Sequence, residues 1–187
     1  MEKGRYLTNH FLIAMPSLLD PNFSRGVTFV CQHSKDGAMG IIINRAAPLT
    51  LGDVLAQMDI TTGIEAVASA PVYLGGPVQP ERGFVLHDTG ESWDSSFDIS
   101  ETLAVTTSRD ILAAMAEGKG PKRALIALGY AGWSEGQLEQ EVRDNAWLTV
   151  AAAPQLIFDT PLDERWNAAA ALVGIDMSLM SDQAGHA

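Results

Sequence analysis

From residue 10 onward the chain alternates short apolar runs with polar or glycine-bearing punctuation. HFLIAM (10–15) and GVTFVCQH (26–33) have strand length, and in the second Val27, Phe29 and Cys31 alternate with Thr28, Val30 and Gln32. That period is the pattern of a strand with a buried face. SKDG (34–37) sets Asp36-Gly37 where a tight turn favours positive φ, and AMGIIIN (38–44) resumes the extended pattern, so the spacing predicts a hairpin. VYLG (72–75), GFVLHD (83–88), FDI (97–99) and LAVTT (103–107) are predicted strands that enlarge the sheet. RALIALG (123–129) is continuously apolar and is predicted to be central. WLTVAA (147–152) and LIF (156–158) also read as extended.

Helical spacing appears in four places. Thr50 and Asp53 form a capping box ahead of Leu51, Val54, Leu55 and Met58. Residues 109–118 place Ile111, Leu112 and Met115 on one face, with Ser108 at the N-cap and Gly118 as the stop. Ser134 and Gln137 suggest a second box opening a helix over 134–144, whose stripe of Leu138 and Val142 is narrow. Its Glu135, Glu139 and Glu141 read as a solvated face, or as a docking face for a basic partner. Thr160, Pro161 and Asp163 open a last helix ending at Gly174, and the tail from about 181 is expected to be mobile. Hairpin pairs with helices interspersed, without strict alternation, argue for a mixed α/β or α+β class over a doubly wound parallel sheet. No repeat or linker divides the chain, so residues 1–187 are expected to form a single domain.

Composition narrows the setting. The 187 residues suit one core, and no apolar stretch reaches the roughly 18 residues needed to cross a bilayer. HFLIAMP is too short, and Pro16 too near, for a signal-peptide core. The lone Cys31 has no internal partner, so a cytoplasmic location is expected. A formal net charge of −11, with 12 scattered basic residues, disfavours direct nucleic-acid binding.

Candidate chemistry is sparse. His10, His33, His87 and His186 lack metal-ligand spacing, so no metal and no cofactor is expected. No G-x-S-x-G elbow is present, and Ser92, Ser95 and Ser96 lie in a polar loop. Cys31 reads as a small buried hydrophobe or, less naturally, as a redox sensor. In LGYAGWSEG (128–136) a strand meets a helix start, but the phosphate-loop glycines and lysine are missing and Glu135 opposes an anion. That segment is expected to be a packed corner wedged by Tyr130 and Trp133. GGPVQPERG (75–83) is the other suggestive stretch. Gly75 and Gly76 would let a ligand approach the backbone and Arg82 would hold a carboxylate or phosphate bidentately. The plainer reading is a structured connection between two paired strands.

Four segments taken together, HFLIAMPSLLDPNFSRGVTFV, GAMGIIINR, YLGGPVQPERGFVLH and LGYAGWSEGQLEQEVRDNAWL, resemble the AlgH (YqgE/AlgH) family of bacterial proteins. The resemblance implies a single domain whose bent, bifurcated mixed sheet folds into a flattened pseudo-barrel surrounded by helices. It also implies a proposed role in regulating alginate production, with no established enzyme activity. Members usually carry Asn-Arg-Pro where this chain has Asn44-Arg45-Ala46, so no proline ring restricts Arg45 here. The expectation is a non-enzymatic regulatory or adaptor domain. It would act on a protein partner or a small anionic ligand through the surface around Asn44, Arg45, Gly75, Gly76 and Arg82. The alternative is a hydrolase or transferase with His87 or His33 as base and Arg82 as anion clamp. Oligomeric state stays open.

Overall fold

The computed structural model describes residues 6–177. Its strands are β1 (His10–Ala14), β2 (Val27–Ser34), β3 (Gly37–Ile42), β4 (Ala46–Thr50), β5 (Pro71–Leu74), β6 (Val78–Asp88), β7 (Ser96–Asp98), β8 (Leu103–Thr106), β9 (Ala124–Trp133) and β10 (Trp147–Ala151). The helices among the described residues are α1 (Leu51–Gln57), α2 (Glu65–Ala68), α3 (Arg109–Ala116), α4 (Gln137–Arg143), α5 (Pro154–Phe158) and α6 (Arg165–Val173), the last preceded by a 3-10 turn at Leu162–Glu164. The expected α+β class is the one observed. The mobile tail expected from about 181 lies outside the described residues.

One curled sheet runs in the order β10-β1-β2-β3-β9-β6-β8-β7 and closes into a half-barrel. Neighbours along this path are antiparallel. The sheet forks at β9. Its far end, Ala131–Trp133, pairs with β3, whereas Ile126–Leu128 pairs in parallel with β5, which carries β4 on its other side. Gly75 stitches the fork: its N–H donates to Leu128 O at 2.8 Å and its carbonyl accepts from Ile42 N–H at 2.8 Å.

The expected β2–β3 hairpin forms, but its two turn residues are Lys35 and Asp36 and not Asp36-Gly37: Ser34 pairs with Gly37, which opens β3 and alone takes the positive φ, +134°. Thr50 and Asp53 make the expected capping box, Thr50 N–H donating to Asp53 Oδ2 at 2.9 Å, and α1 buries Leu51, Val54 and Leu55. Such caps contribute about 1 kcal/mol. Four further expectations need correction. Ser108 stands at the N-cap of α3 but turns its hydroxyl to the Asp110 carboxylate instead of the helix N–H groups. α4 begins at Gln137, behind Gly136 at φ +75°, because β9 continues to Trp133; Gln137 Oε1 still accepts from Ser134 N–H at 3.0 Å. LIF belongs to a helix, with Pro154 in its first turn and Leu156 and Ile157 buried, where a proline's fixed φ fits and its missing N–H is not needed. The turn expected to open the last helix is 3-10, and α6 starts at Arg165 before stopping at Gly174, φ +86°.

Two faces of the sheet are covered differently. Val72, Val85 and Ile126 pack with Leu51, Leu55, Ile111 and Leu112 of α1 and α3. Residues one register position away, including Phe84, Leu86, Val105 and Ala127, belong to the main core with Phe11, Phe29 and the α5–α6 side chains. Fully burying side chains of this size stabilises by about 1.5–3 kcal/mol each. Trp133, Trp147 and Leu138 make a third cluster beneath α4.

Candidate functional site

The segment between β5 and β6 does not join two paired strands. β5 and β6 lie on opposite sides of β9, so the chain crosses over it. Only residues 75–77 lie outside strands. Gly75, Gly76 and Gly129 meet backbone to backbone at the crossing: a Cβ on Gly75 would overlap Gly129 O, one on Gly76 the Tyr130 carbonyl, and one on Gly129 the Gly76 carbonyl. These glycines serve the chain's own contact. Beyond the crossing, pairing resumes at Val78 with Tyr130 and then shifts to Gly83 with Leu128, so that Gln79, Pro80, Glu81 and Arg82 bulge opposite Gly129 alone. Such bulges re-aim side chains.

The remaining expected site residues separate into distinct environments. Asn44 spends its amide on backbone, accepting from Val27 N–H at 2.8 Å and donating to Arg25 O at 3.0 Å. Arg45 is half-buried, which lowers its pKa from the ordinary arginine value, and its guanidinium donates to Ser24 O. Its carbonyl accepts from Leu74 N–H at 2.8 Å, which holds the Arg45 backbone against β5. Arg45 shares a cleft of about 200 Å³ with Gly76, Leu74 and Pro77. Arg82 does not line that cleft.

Arg82 is exposed and projects from the bulge. Its guanidinium carbon lies 5.7 Å from the Phe84 ring centroid, and its contacts to Gln79 Oε1 (3.5 Å) and Thr107 Oγ1 (3.4 Å) are long. No carboxylate of a described residue comes within 4.0 Å of it. Two cavities meet here. One of about 410 Å³ is floored by Val54, Val85, Leu112 and Ile126 beneath α1 and α3. The other is an open groove of about 780 Å³ on the opposite face, lined by Met39, Phe84, Phe97 and Tyr130 together with Gln32 and Gln79. Among the described residues neither Asp nor Glu lines the groove.

The histidines are elsewhere. His87 is 1% exposed, with Nδ1 2.9 Å from Asp88 O and Nε2 2.7 Å from Thr106 Oγ1. A carbonyl only accepts, so in this network Nδ1 carries a proton and donates it to Asp88 O. Both ring nitrogens are engaged. His33 Nδ1 accepts from Leu7 N–H at 2.9 Å, and Nε2 lies 3.2 Å from Glu139 Oε2 without hydrogen-bond alignment. Neither histidine lines a cavity that Arg82 lines. Cys31 is buried at the β2 bulge opposite β3, and burial pushes its thiol pKa up. Among the described residues no three His, Cys, Asp or Glu side chains gather as a metal site.

Of the acidic face expected on α4, two members look inward: Glu139 toward His33, and Glu141, whose Oε1 accepts from the indoles of Trp133 (2.9 Å) and Trp147 (3.0 Å). Sequence reasoning missed Gln32 and Phe97 as groove residues. The signal was the alternation that puts Phe84 and Tyr130 on one face, but Gln32 and Phe97 lie in hairpins that reach that face only through the long-range pairing of β3 and β6 with β9.

The fold and site thus define an α+β half-barrel, forked at β9, with one exposed arginine between an apolar cavity and an aromatic groove. The chain belongs to the AlgH-like family, whose pattern it matches over residues 11–178. The UPF0301 protein of Thioalkalivibrio sulfidiphilus is 58% identical over the whole of both chains. That of Methylococcus capsulatus is 54% identical over 98% of each. The solution structure of the AlgH protein from Pseudomonas aeruginosa, 49% identical, superposes with a TM-score of 0.81 and covers 100% of this chain and 99% of its own. A Corynebacterium diphtheriae protein at 21% identity shares the fold, with a TM-score of 0.72 over 94% of this chain and 91% of its own. Among the described residues no helix is long and apolar enough to cross a membrane.

Proposed function

We propose that this chain is a non-enzymatic, cytoplasmic regulatory or adaptor domain that acts by binding a small anionic ligand on Arg82. The observation that carries the reading is an exposed guanidinium held by two long contacts, with no carboxylate of a described residue within 4.0 Å although Glu81 lines the 410 Å³ cavity beside it, in a chain of formal net charge −11. Arginine presents five N–H donors in a planar fork that fits carboxylate or phosphate oxygens, and here most of those donors are spare. The engaged ring nitrogens of His87 and the absence of either candidate base from Arg82's cavities favour binding over catalysis.

The test is a calorimetric titration of inorganic phosphate, citrate and a phosphomonoester into wild type and Arg82→Ala. At least one anion should bind wild type saturably and lose about tenfold or more in affinity in the variant, with the melting temperature unchanged because the side chain is exposed. Equal affinities in the two proteins would move the site away from Arg82.

A further inference from the structure

We infer that the groove beside Arg82 takes a nucleoside monophosphate or a ligand of that chemistry, a planar heteroaromatic ring bearing one anionic group. This deepens the reading above and rests on it. The groove's volume, about 780 Å³, lies within the range of small-molecule sites. Its wall is aromatic. Tyr130 meets Phe84 edge to face at 5.6 Å and 70°, and both Tyr130 and Phe97 remain partly exposed. A flat ring can stack on one and meet the edge of another, the arrangement by which aromatic side chains hold nucleobases. Arg82 lies over the same Phe84 ring, so the anion-binding fork adjoins the stacking wall.

The polar groups match the same ligand. Gln32 and Gln79 are exposed amides, each offering a donor and an acceptor, the pairing that reads a purine edge. Gln79 adopts φ +48° although it is not glycine and precedes Pro80, which ordinarily drives its neighbour toward extended backbone. Strain of this kind persists where the surroundings enforce it, and it gathers at binding sites. Here it belongs to the bulge that carries both Gln79 and Arg82. The charge count favours a mononucleotide over a polymer: among the described residues the groove holds one arginine and no other cation, whereas a polynucleotide needs a track of them and would meet the repulsion of the acidic chain.

The experiment is an amide-resolved NMR titration of the full chain with AMP, GMP, adenosine, ribose 5-phosphate and decanoate, repeated on Arg82→Ala and Phe97→Leu. AMP or GMP should shift Gln32, Gln79, Phe97 and Tyr130 and bind about tenfold tighter than ribose 5-phosphate. Phe97→Leu should weaken the nucleotide but not the sugar phosphate, and Arg82→Ala should weaken both. Should either variant fail to fold, the comparison of probes on wild type still decides. Ribose 5-phosphate binding as well as AMP would overturn the aromatic inference and leave the anion reading intact. Decanoate shifting the cavity under α1 and α3, with nucleotides silent, would overturn it in favour of an aliphatic carboxylate. No probe binding wild type, or affinities untouched by Arg82→Ala, would overturn both readings.

Discussion

Gly76 and Gly83 flank the same bulge, yet only one has room for a side chain. A methyl group on Gly76, at φ +156°, would run into the Tyr130 carbonyl, whereas nothing lies within 4 Å of the corresponding position on Gly83. Gly76→Ala should therefore cost about 3 kcal/mol or more, since backbone cannot move aside as a flexible side chain can. Gly83→Ala, inside a strand, should be neutral or gain about 0.5 kcal/mol from reduced unfolded-state freedom. Urea unfolding of the two variants checks the pair; equal losses would mean the crossing is looser than described. Cys31 gives a second outcome at this scale. Its thiol is 1% exposed, and burial raises its pKa, so the reactive thiolate is suppressed. Native protein should resist Ellman's reagent at pH 8 and react promptly once unfolded in guanidinium. Rapid labelling of the native form would revive the redox-sensor reading.

At the scale of elements, α4 is short, and beside the buried Leu138 its hydrogen bonds to the sheet converge on one carboxylate. Glu141 accepts from two indoles through Oε1 and from Gln137 Nε2 at 2.9 Å through Oε2, joining the helix to β9 and β10. Glu141→Ala would strand two indole donors on largely buried rings, each costing about 1–3 kcal/mol, so a total loss of about 3 kcal/mol is expected by thermal unfolding. Glu141→Gln keeps an acceptor oxygen and should recover much of it. Sequence periodicity located Glu141 on a polar helix but could not say that two tryptophans lie beneath it. What was legible follows the same line. The Thr50–Asp53 box, the hairpin between β2 and β3 and the central apolar run depend on neighbours within a few residues. β4 was missed because Pro48 breaks its pattern and its partner is Tyr73. α5 was missed because three apolar residues fit either period, and Pro154 alone marked the helix start. The crossing over β9 depends on contacts about fifty residues distant, and local pattern carries no record of them. For the site, Arg82 could be nominated from its residue type beside glycines and prolines, but the groove around it is assembled by β2, β3, β6, β7 and β9.

For the whole molecule, 23 acidic residues against 12 basic leave at least 11 carboxylates without a counter-charge however the pairs are drawn. Exposed pairs such as Lys119–Glu117 at 3.7 Å and Arg123–Asp159 at 3.2 Å offset little of this. The folded state compresses the excess charge, so screening should stabilise it: raising NaCl from about 10 to 150 mM shortens the Debye length from about 30 to 8 Å and should raise the melting temperature. Binding at Arg82 has the opposite dependence, because the same salt screens the attraction between one guanidinium and an anion. The two effects are separable by changing the anion at constant ionic strength. Replacing chloride with phosphate should raise the melting temperature of wild type further, by mass action on a site present only in the folded state. Arg82→Ala should keep the general salt response and lose most of that increment. If the variant retained the whole phosphate increment, general exclusion of phosphate from the protein surface would account for it, and the stabilising anion would have to be sought away from Arg82.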